Sequence, residues 1–155
     1  MVRPDLRKPV HLLAFGFGSG LAPKAPGTFG TLVAIPIYLI LQPLSYWLYL
    51  LLVVLGFIVG IWICDQTSKD LGVHDHGGIV WDEIIGYLIT MSFVPASLWW
   101  ILIGFVLFRL FDILKPWPIG WLDKRVEGGF GIMLDDLVAG LYAGVVMLFI
   151  VWGGF

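Results

Sequence analysis

The chain has 155 residues, of which 59% are hydrophobic and 13% are charged, and its mean hydropathy is +0.95. Soluble domains carry about 25% charged residues, so this composition predicts an integral membrane protein. Nine basic residues nearly balance eleven acidic ones, which argues against a nucleic-acid partner. The only cysteine, Cys64, lies in an apolar run, so a disulfide framework and a cysteine-rich metal site are excluded.

One membrane-embedded domain over residues 1–155 is predicted, because the length leaves no room for a separate soluble module. The apolar run at residues 10–15 is too short for the core of a signal peptide. We therefore expect the mature chain to begin at or near Met1. Length and composition do not predict an oligomeric state.

Five apolar segments predict an all-α protein, a compact bundle of about five short helices that are transmembrane or partly inserted. The uncharged run at residues 46–64 would form a helix about 28 Å long, which is enough to cross a bilayer. Aromatic side chains lie near both of its ends, as they do at lipid–water interfaces. The five segments are residues 29–41, 46–64, 84–94, 98–114 and 132–152.

All charged residues fall within residues 3–24, 65–83 and 109–136. The segment 84–114 can form either a helical hairpin that turns near Pro95 or one long kinked helix. The hairpin places every charge on one face of the membrane, whereas the long helix divides the charges between both faces. Because Lys and Arg mark the cytoplasmic side, we expect the hairpin, with all charged loops on that face.

Residues 18–30 are rich in glycine and proline and are predicted to be irregular. Glycine permits close approach of the backbone to a ligand, and Lys24 supplies a cation. Thr28 is expected to cap the following helix. No Gly-Lys-Ser/Thr follows the glycines, so the segment is not a P-loop. It is either a loop that approaches a phosphate or a plain membrane-entry loop.

The predicted polar loop at residues 65–83 contains a His-Asp-His cluster, formed by His74, Asp75 and His76. Such a cluster can bind a metal ion, but two loop histidines beside glycines are more often solvated.

Two pairs of adjacent acids mark the start of apolar segments: Asp82 with Glu83, and Asp135 with Asp136. Acids in the first turn of a helix are favoured by its dipole, which explains them without any site. A hard cation would use the same carboxylates as oxygen ligands. Asp135 and Asp136 lie further into an apolar run than capping requires.

Residues 108–119 end an apolar helix with ionisable side chains. Arg109, Asp112 and Lys115 recur at every third residue and therefore project from one face. Each ionisable group in hydrocarbon costs at least about 2.5–3.5 kcal/mol, so membrane proteins usually retain such groups at a site. The alternative is a capped helix end whose charges reach the interface.

In the hairpin arrangement, six carboxylates meet at one interface. Carboxylates crowded in a low dielectric repel one another unless they are protonated or bridged by a cation. Oxygen-only ligands favour Mg²⁺, and neighbouring Arg and Lys side chains would bind a phosphate ester. Structural salt bridges are the alternative. The predicted metal ligands are Asp65, Asp82, Glu83, Asp112, Asp135 and Asp136.

Four stretches of the sequence resemble the signature blocks of the phosphatidylglycerophosphatase A family. They are GSGLAPKAPGTFGTL (18–32), the D…VWDEIIG element (75–86), FRLFDILKPWPI (108–119) and GGFGIMLDDLVAG (128–140). The resemblance implies a bacterial inner-membrane, Mg²⁺-dependent lipid phosphatase that converts phosphatidylglycerophosphate to phosphatidylglycerol.

The resemblance also points to individual residues, which are Asp82, Glu83, Asp112, Lys115, Asp135 and Asp136, with Lys24 and Thr28 of the glycine-rich loop. Together with the charge pattern, it predicts two groups. The catalytic group is Asp82, Glu83, Asp112 and Asp136. The substrate-binding group is Lys24, Thr28, Arg109 and Lys115.

The hypothesis for mechanism is direct attack of a metal-activated water on phosphorus, with one carboxylate as general base. An aspartyl-phosphate intermediate is the alternative. Two other protein classes fit less well. The motif of CDP-alcohol phosphotransferases is absent from the sequence, and a divalent-cation transporter would place acids near the middle of several spans.

Overall fold

The computed structural model describes residues 3–74 and 76–153, which form seven α-helices and one short 3₁₀ helix and contain no strand. Two predictions concern residues outside the described ones: the start of the mature chain at Met1, and Asp75 at the centre of the His-Asp-His cluster. A 3₁₀ helix at Gly16–Leu21 follows α1. The α-helices are α1 (Pro9–Ala14), α2 (Pro26–Leu41), α3 (Tyr46–Leu71), α4 (Trp81–Met91), α5 (Leu98–Leu114), α6 (Ile119–Arg125) and α7 (Gly128–Trp152).

Two helices are long and apolar enough to cross a membrane, namely Tyr46–Leu71 and Gly128–Trp152. Pro26–Leu41 is a shorter apolar helix. The all-α prediction is confirmed for the described residues. About five transmembrane or partly inserted helices were predicted; α1, in the short apolar run at residues 10–15, and α6, in the last predicted polar loop, are two further short helices.

Several predicted helix ends are wrong. Residues 65–71 were predicted as loop but continue α3, where Asp65 and Lys69 form an ion pair of 2.8 Å across one turn. Gly72, with φ 70°, then ends the helix in a conformation that favours glycine. At its start, α2 begins at Pro26 rather than at residue 29, and its N-cap is Ala25 instead of Thr28.

The predicted hairpin is confirmed, because α4 and α5 are separate helices that pack against each other in opposite directions. The Tyr87 hydroxyl of α4 donates to the Ile101 carbonyl near the start of α5, at 2.9 Å. Gly86, closer to the start of α4, lies against the ring of Phe108 near the end of α5. Ser97 caps α5 by accepting a hydrogen bond from the Trp100 N–H at 3.2 Å.

Helix α4 lies at the centre of the molecule, and every residue from Ile84 to Met91 is buried. Gly86 and Gly140 let α4 and α7 approach closely, since a methyl group on Gly140 would lie 2.5 Å from the Gly86 carbonyl oxygen. The Thr90 hydroxyl bridges the same crossing by donating to the carbonyls of Gly86 and Gly140, each at 3.1 Å. This crossing sets the distance between the first turn of α4 and the middle of α7.

The short helix α4 ends inside the molecule, where its last carbonyls need partners. The Tyr49 hydroxyl donates to the Leu88 carbonyl at 2.6 Å, and the Ser92 hydroxyl donates to the Ile89 carbonyl at 2.6 Å. These bonds explain how an eleven-residue helix stops among apolar neighbours.

The outer surface of the bundle is strongly apolar. Ile40 of α2, Ile58 of α3 and Val106 of α5 are 73%, 56% and 62% exposed. The buried residues, by contrast, include four aspartates, which are Asp82, Asp112, Asp135 and Asp136. Apolar side chains outside and carboxylates inside reverse the usual arrangement of a soluble protein.

Candidate active site

Three carboxylates from two helices meet inside the bundle and are called here the acid trio: Asp82, Glu83 and Asp136. Each residue offers one oxygen, and these three oxygens all lie within 4.8 Å of one another. Asp82 and Asp136 are 6% and 1% exposed, and Glu83 is half-buried. In the described part of the chain, this is the only group of three or more potential metal ligands that comes so close.

Each member of the acid trio keeps one oxygen without a hydrogen-bond partner. These buried oxygens are Asp82 Oδ1, Glu83 Oε2 and Asp136 Oδ2. Buried polar atoms are nearly always paired, and like charges at this separation repel strongly. The trio therefore destabilises the folded protein unless a cation or a proton binds to these oxygens.

The fold brings the trio together by fixing both helices. The Val80 N–H, just before α4, donates to the Ala14 carbonyl at 2.8 Å and anchors the turn that carries Asp82 and Glu83. Asp136 was predicted near the start of its helix, but α7 begins at Gly128 and has no acid in its first turn. The helix dipole therefore does not explain Asp136.

Beside the trio, the predicted stripe on α5 forms a chain of ion pairs. The Arg109 guanidinium pairs with Asp112, and Lys115 Nζ lies 3.7 Å from Asp112 Oδ1 and 3.1 Å from Asp135 Oδ2. Burial alone would lower the pKa of the Lys115 ammonium, but the carboxylates of Asp135 and Asp112 raise it above its ordinary value. Lys115 therefore remains a cation at the site.

Two other predicted metal ligands, Asp112 on α5 and Asp135 on α7, pair with cations of the protein. Asp135 binds Lys115 through Oδ2, and its Oδ1 accepts a hydrogen bond from the Asp136 N–H at 3.0 Å. Asp112 lies close enough to Glu83 and Asp136 for its negative charge to repel both carboxylates. It also pairs with Arg109. Both residues border the trio, and the cations beside them offset its charge.

The structure does not bring Asp65 to the acid trio. Its carboxylate pairs with Lys69, and Oδ1 accepts a hydrogen bond from the Gly129 N–H at 3.2 Å, in the first turn of α7. Gly129 precedes Asp136 by seven residues, which is about 10 Å along a helix. Asp65 thus joins α3 to the start of α7.

Two predicted substrate ligands come from the glycine-rich segment. Lys24 is exposed in the turn before α2, and it forms no ion pair with any residue in 3–74 or 76–153. Thr28 is half-buried in the first turn of α2. Among the described residues, no hydrogen bond or ion pair joins either side chain to the trio.

Of the predicted His-Asp-His cluster, His76 has an ordinary structural role. Its Nδ1 accepts a hydrogen bond from the Gly78 N–H at 2.9 Å, and its ring packs against Phe15.

Sequence reasoning missed Gly27, which lies against the site. A methyl group placed on Gly27 would lie 3.0 Å from Arg109 Nη1 and 3.1 Å from Glu83 Oε1. The sequence shows a glycine in a loop rich in glycine and proline, but it does not show which glycine faces the acids. The one relevant clue in the sequence was the prediction that the glycine-rich segment brings its backbone close to a ligand.

The acid trio suits a hard divalent cation. Its ligands are oxygens only, one on each residue lacks a partner, and the neighbouring cations pair with Asp112 and Asp135. Carboxylate oxygens are the ligands that Mg²⁺ prefers in proteins. The residues present therefore fit the cation that the sequence resemblance implies.

Comparison with known proteins assigns the chain to a family. The sequence profile described as "Phosphatidylglycerophosphatase A" matches residues 12–151. The chain belongs to the phosphatidylglycerophosphatase A family. The acid trio, Arg109 and Lys115 all lie within the matched residues.

Other members of the phosphatidylglycerophosphatase A family are similar over nearly their whole length. The Escherichia coli K12 protein named phosphatidylglycerophosphatase A is 52% identical over 149 residues, covering 96% of this chain and 87% of that protein. The Haemophilus influenzae protein of the same name is 48% identical, covering 92% of this chain and 89% of that protein.

A more distant relative, from Bacteroides thetaiotaomicron, is provisionally named a phosphatidylinositol-3-phosphatase. It is 36% identical and covers 91% of this chain and 92% of its own length. No solved structure matches the chain.

Proposed function

We propose that this protein hydrolyses phosphatidylglycerophosphate to phosphatidylglycerol and inorganic phosphate. The proposal rests on family membership and on one structural observation. Three carboxylates, each with a buried oxygen that has no partner, lie beside Arg109, a cation suited to binding a phosphate.

Mg²⁺ is the proposed cofactor, and Asp82, Glu83 and Asp136 are the residues that would hold it. When bound, Mg²⁺ neutralises phosphate charge and makes a water molecule more acidic. Asp112 and Asp135 lie next to these ligands and orient the neighbouring cations.

The side chains around the trio have separate tasks in this proposal. Arg109 and Lys115 bind the phosphate oxygens and stabilise the negative charge that grows on them in the transition state. Asp112 lies between both cations and keeps them close together. One carboxylate of the trio accepts a proton from the attacking water as the water oxygen bonds to phosphorus. The bond from phosphorus to the glycerol oxygen breaks, and that oxygen takes up a proton from solvent to become the hydroxyl of phosphatidylglycerol.

Direct attack by water has a stereochemical consequence. A single in-line displacement inverts the configuration at phosphorus, whereas an aspartyl-phosphate intermediate requires two displacements and retains it. The two routes can be distinguished with a substrate that has a chiral phosphorus. The configuration of the released phosphate is then determined. We expect inversion, and retention would replace direct attack with the covalent route.

The same proposal places the bundle in a membrane with the site at one interface. Trp47, Trp99 and Trp152 are 78%, 75% and 82% exposed, and each lies at the end of its helix remote from the acids. Sixteen to eighteen residues separate each Trp from the charged end of its helix, about 24–27 Å. This length approaches the roughly 30 Å of a bilayer core, and exposed Trp side chains favour its interfaces.

The orientation follows from the distribution of charge. The turns at residues 42–45 and 92–97, at the remote end, carry no charged residue, whereas all Lys and Arg residues belong to the site end or the segments next to it. We propose that the site faces the cytoplasm from a bacterial inner membrane. A lipid substrate would then keep its acyl chains in the bilayer while its headgroup reaches the acids.

The proposed activity is tested with the purified wild-type protein and phosphatidylglycerophosphate in detergent micelles. We expect phosphate release with Mg²⁺, loss of release with EDTA, and recovery when Mg²⁺ is added in excess. Absence of phosphate release with Mg²⁺ would contradict the function, and full activity in EDTA would contradict the cofactor.

A further inference from the structure

Gly27 lies where α2 meets two functional side chains of other helices. A methyl group on Gly27 would lie 3.0 and 3.2 Å from the Arg109 nitrogens Nη1 and Nη2, and 3.1 Å from Glu83 Oε1. These distances are shorter than ordinary contacts of a methyl carbon, which lie near 3.4–4 Å. The guanidinium of α5 and the carboxylate of α4 therefore both rest against the Gly27 backbone.

The position of Gly27 is held from its own side. Ala25, with φ 50°, is the N-cap of α2, and Pro26 fixes the first helical residue. The Gly27 carbonyl accepts a hydrogen bond from the hydroxyl of fully buried Thr31 at 2.8 Å. Gly27 is thus a rigid surface against which Arg109 and Glu83 pack.

Arg109 has little freedom to avoid a larger side chain at this position. Its guanidinium is paired with buried Asp112, and its Nε is a buried atom without a hydrogen-bond partner. Any displacement of the guanidinium that makes room for a methyl group would also disturb its ion pair with Asp112. The lack of a side chain on Gly27 is what lets Arg109 occupy its observed place.

We propose that Gly27 is a positioning residue that sets where the Arg109 guanidinium meets the substrate phosphate. This inference rests on the proposed function, because it assigns Arg109 to the phosphate of a lipid phosphate ester. Gly27 itself does not contact the reacting atoms in this account. It acts through Arg109.

The test is the substitution Gly27→Ala, measured with phosphatidylglycerophosphate and Mg²⁺. Weakening one hydrogen bond to a charged group lowers kcat/KM by about 10-fold or more. We expect a higher KM together with a lower kcat, because Arg109 both binds the phosphate and stabilises the charge that grows on it. Alanine favours a helix more than glycine, which offsets the cost of the tight contact, so thermal stability should stay close to that of the wild type. A structural role would instead lower stability and activity together.

A matched control is Gly77→Ala, since a methyl group on Gly77 meets nothing within 4 Å. This variant should retain the wild-type kcat/KM. A second measurement repeats Gly27→Ala in the Arg109→Ala background. There it should change kcat/KM by less than about 2-fold, because the side chain through which it acts is gone.

The outcomes separate this inference from the proposed function. Wild-type protein that releases no phosphate would contradict the function itself. If the wild type is active, the inference alone is overturned by any of three results. These are wild-type kinetics of Gly27→Ala, loss of its folded state, or an undiminished effect of Gly27→Ala in the Arg109→Ala background.

Discussion

At the scale of single residues, carboxylates that look equivalent in the sequence differ in what they contact. The oxygens of Asp135 are taken by Lys115 and by the Asp136 N–H. Asp136, its neighbour in the chain, keeps one buried oxygen without a partner. The two adjacent aspartates therefore differ in their surroundings: Asp135 holds a cation of the protein, and Asp136 is the one proposed to bind the metal ion.

The substitution Asp135→Asn tests this division. It weakens the ion pair with Lys115, and we expect kcat/KM to fall by about 10-fold. The Mg²⁺ concentration for half-maximal activity should not change, because the acid trio is intact. Phosphate release measured across a Mg²⁺ titration gives both values, and Asp136→Asn serves as the comparison in which the Mg²⁺ requirement should rise. An equal rise in Asp135→Asn would show that Asp135 is a metal ligand.

At the scale of helices, the site depends on the crossing of α4 and α7. Gly86 and Gly140 touch through backbone atoms, and the Thr90 hydroxyl joins both helices. Asp82 and Glu83 lie one turn before Gly86, and Asp136 lies one turn before Gly140. The separation of these helices therefore determines whether the three oxygens can share one cation.

Gly140→Ala should widen this crossing. A methyl group would lie 2.5 Å from the Gly86 carbonyl oxygen, so one helix must move, and overpacking of this kind destabilises by about 1–3 kcal/mol. We expect both the thermal midpoint and the phosphatase activity to fall, as measured by unfolding in detergent and by phosphate release. Gly77→Ala is the control for glycine replacement. Unchanged stability and activity in Gly140→Ala would show that the crossing does not set the site.

Helix identity was more predictable from sequence than helix ends. The predicted bounds of α5, Leu98–Leu114, are the observed ones, because Ser97 caps its start and Pro116 follows its end. The end of α3 was misjudged because Asp65 looks like the start of a loop. Instead its ion pair with Lys69 continues the helix. Polarity marks an interface and does not by itself end a helix.

The candidate site was predictable as a set of residue types but not as a set of contacts. The sequence and its family resemblance located all members of the acid trio and both cations of α5. The charge pattern also placed Asp65 among the metal ligands, whereas the resemblance did not include it, and its observed partners are Lys69 and Gly129. The sequence and the resemblance did not reveal Gly27, since close approach of a backbone depends on helices far apart in the chain.

At the scale of the whole molecule, the charged side chains lie at one end of the helix bundle. Carboxylates and cations gather where α3 and α5 end and where α4 and α7 begin. Exposed Trp side chains lie at both ends, with Trp117 and Trp121 near the charges and Trp47, Trp99 and Trp152 at the uncharged end. This asymmetry is expected when one face of a membrane protein binds a charged headgroup and the rest contacts lipid.

The proposed orientation can be tested by labelling from each side of the membrane. Gln42 lies in the remote turn and Lys124 lies on α6, and both are exposed. An impermeant maleimide should label Gln42→Cys in right-side-out vesicles and Lys124→Cys in inverted vesicles. The unmodified protein is the control, because its only cysteine, Cys64, is fully buried. Labelling of both variants from the same side would contradict a spanning bundle with one charged face.

The central claim is that the acid trio is the catalytic centre of a lipid phosphatase. Its most direct test compares phosphate release from phosphatidylglycerophosphate, at high Mg²⁺, by the wild type and by Asp82→Asn, Asp136→Asn and Asp65→Asn. We expect the first two variants to lose at least about 100-fold in kcat. Asp65→Asn should stay close to the wild type, because its carboxylate joins α3 to α7 away from the trio. Wild-type activity in both Asp82→Asn and Asp136→Asn would contradict the account.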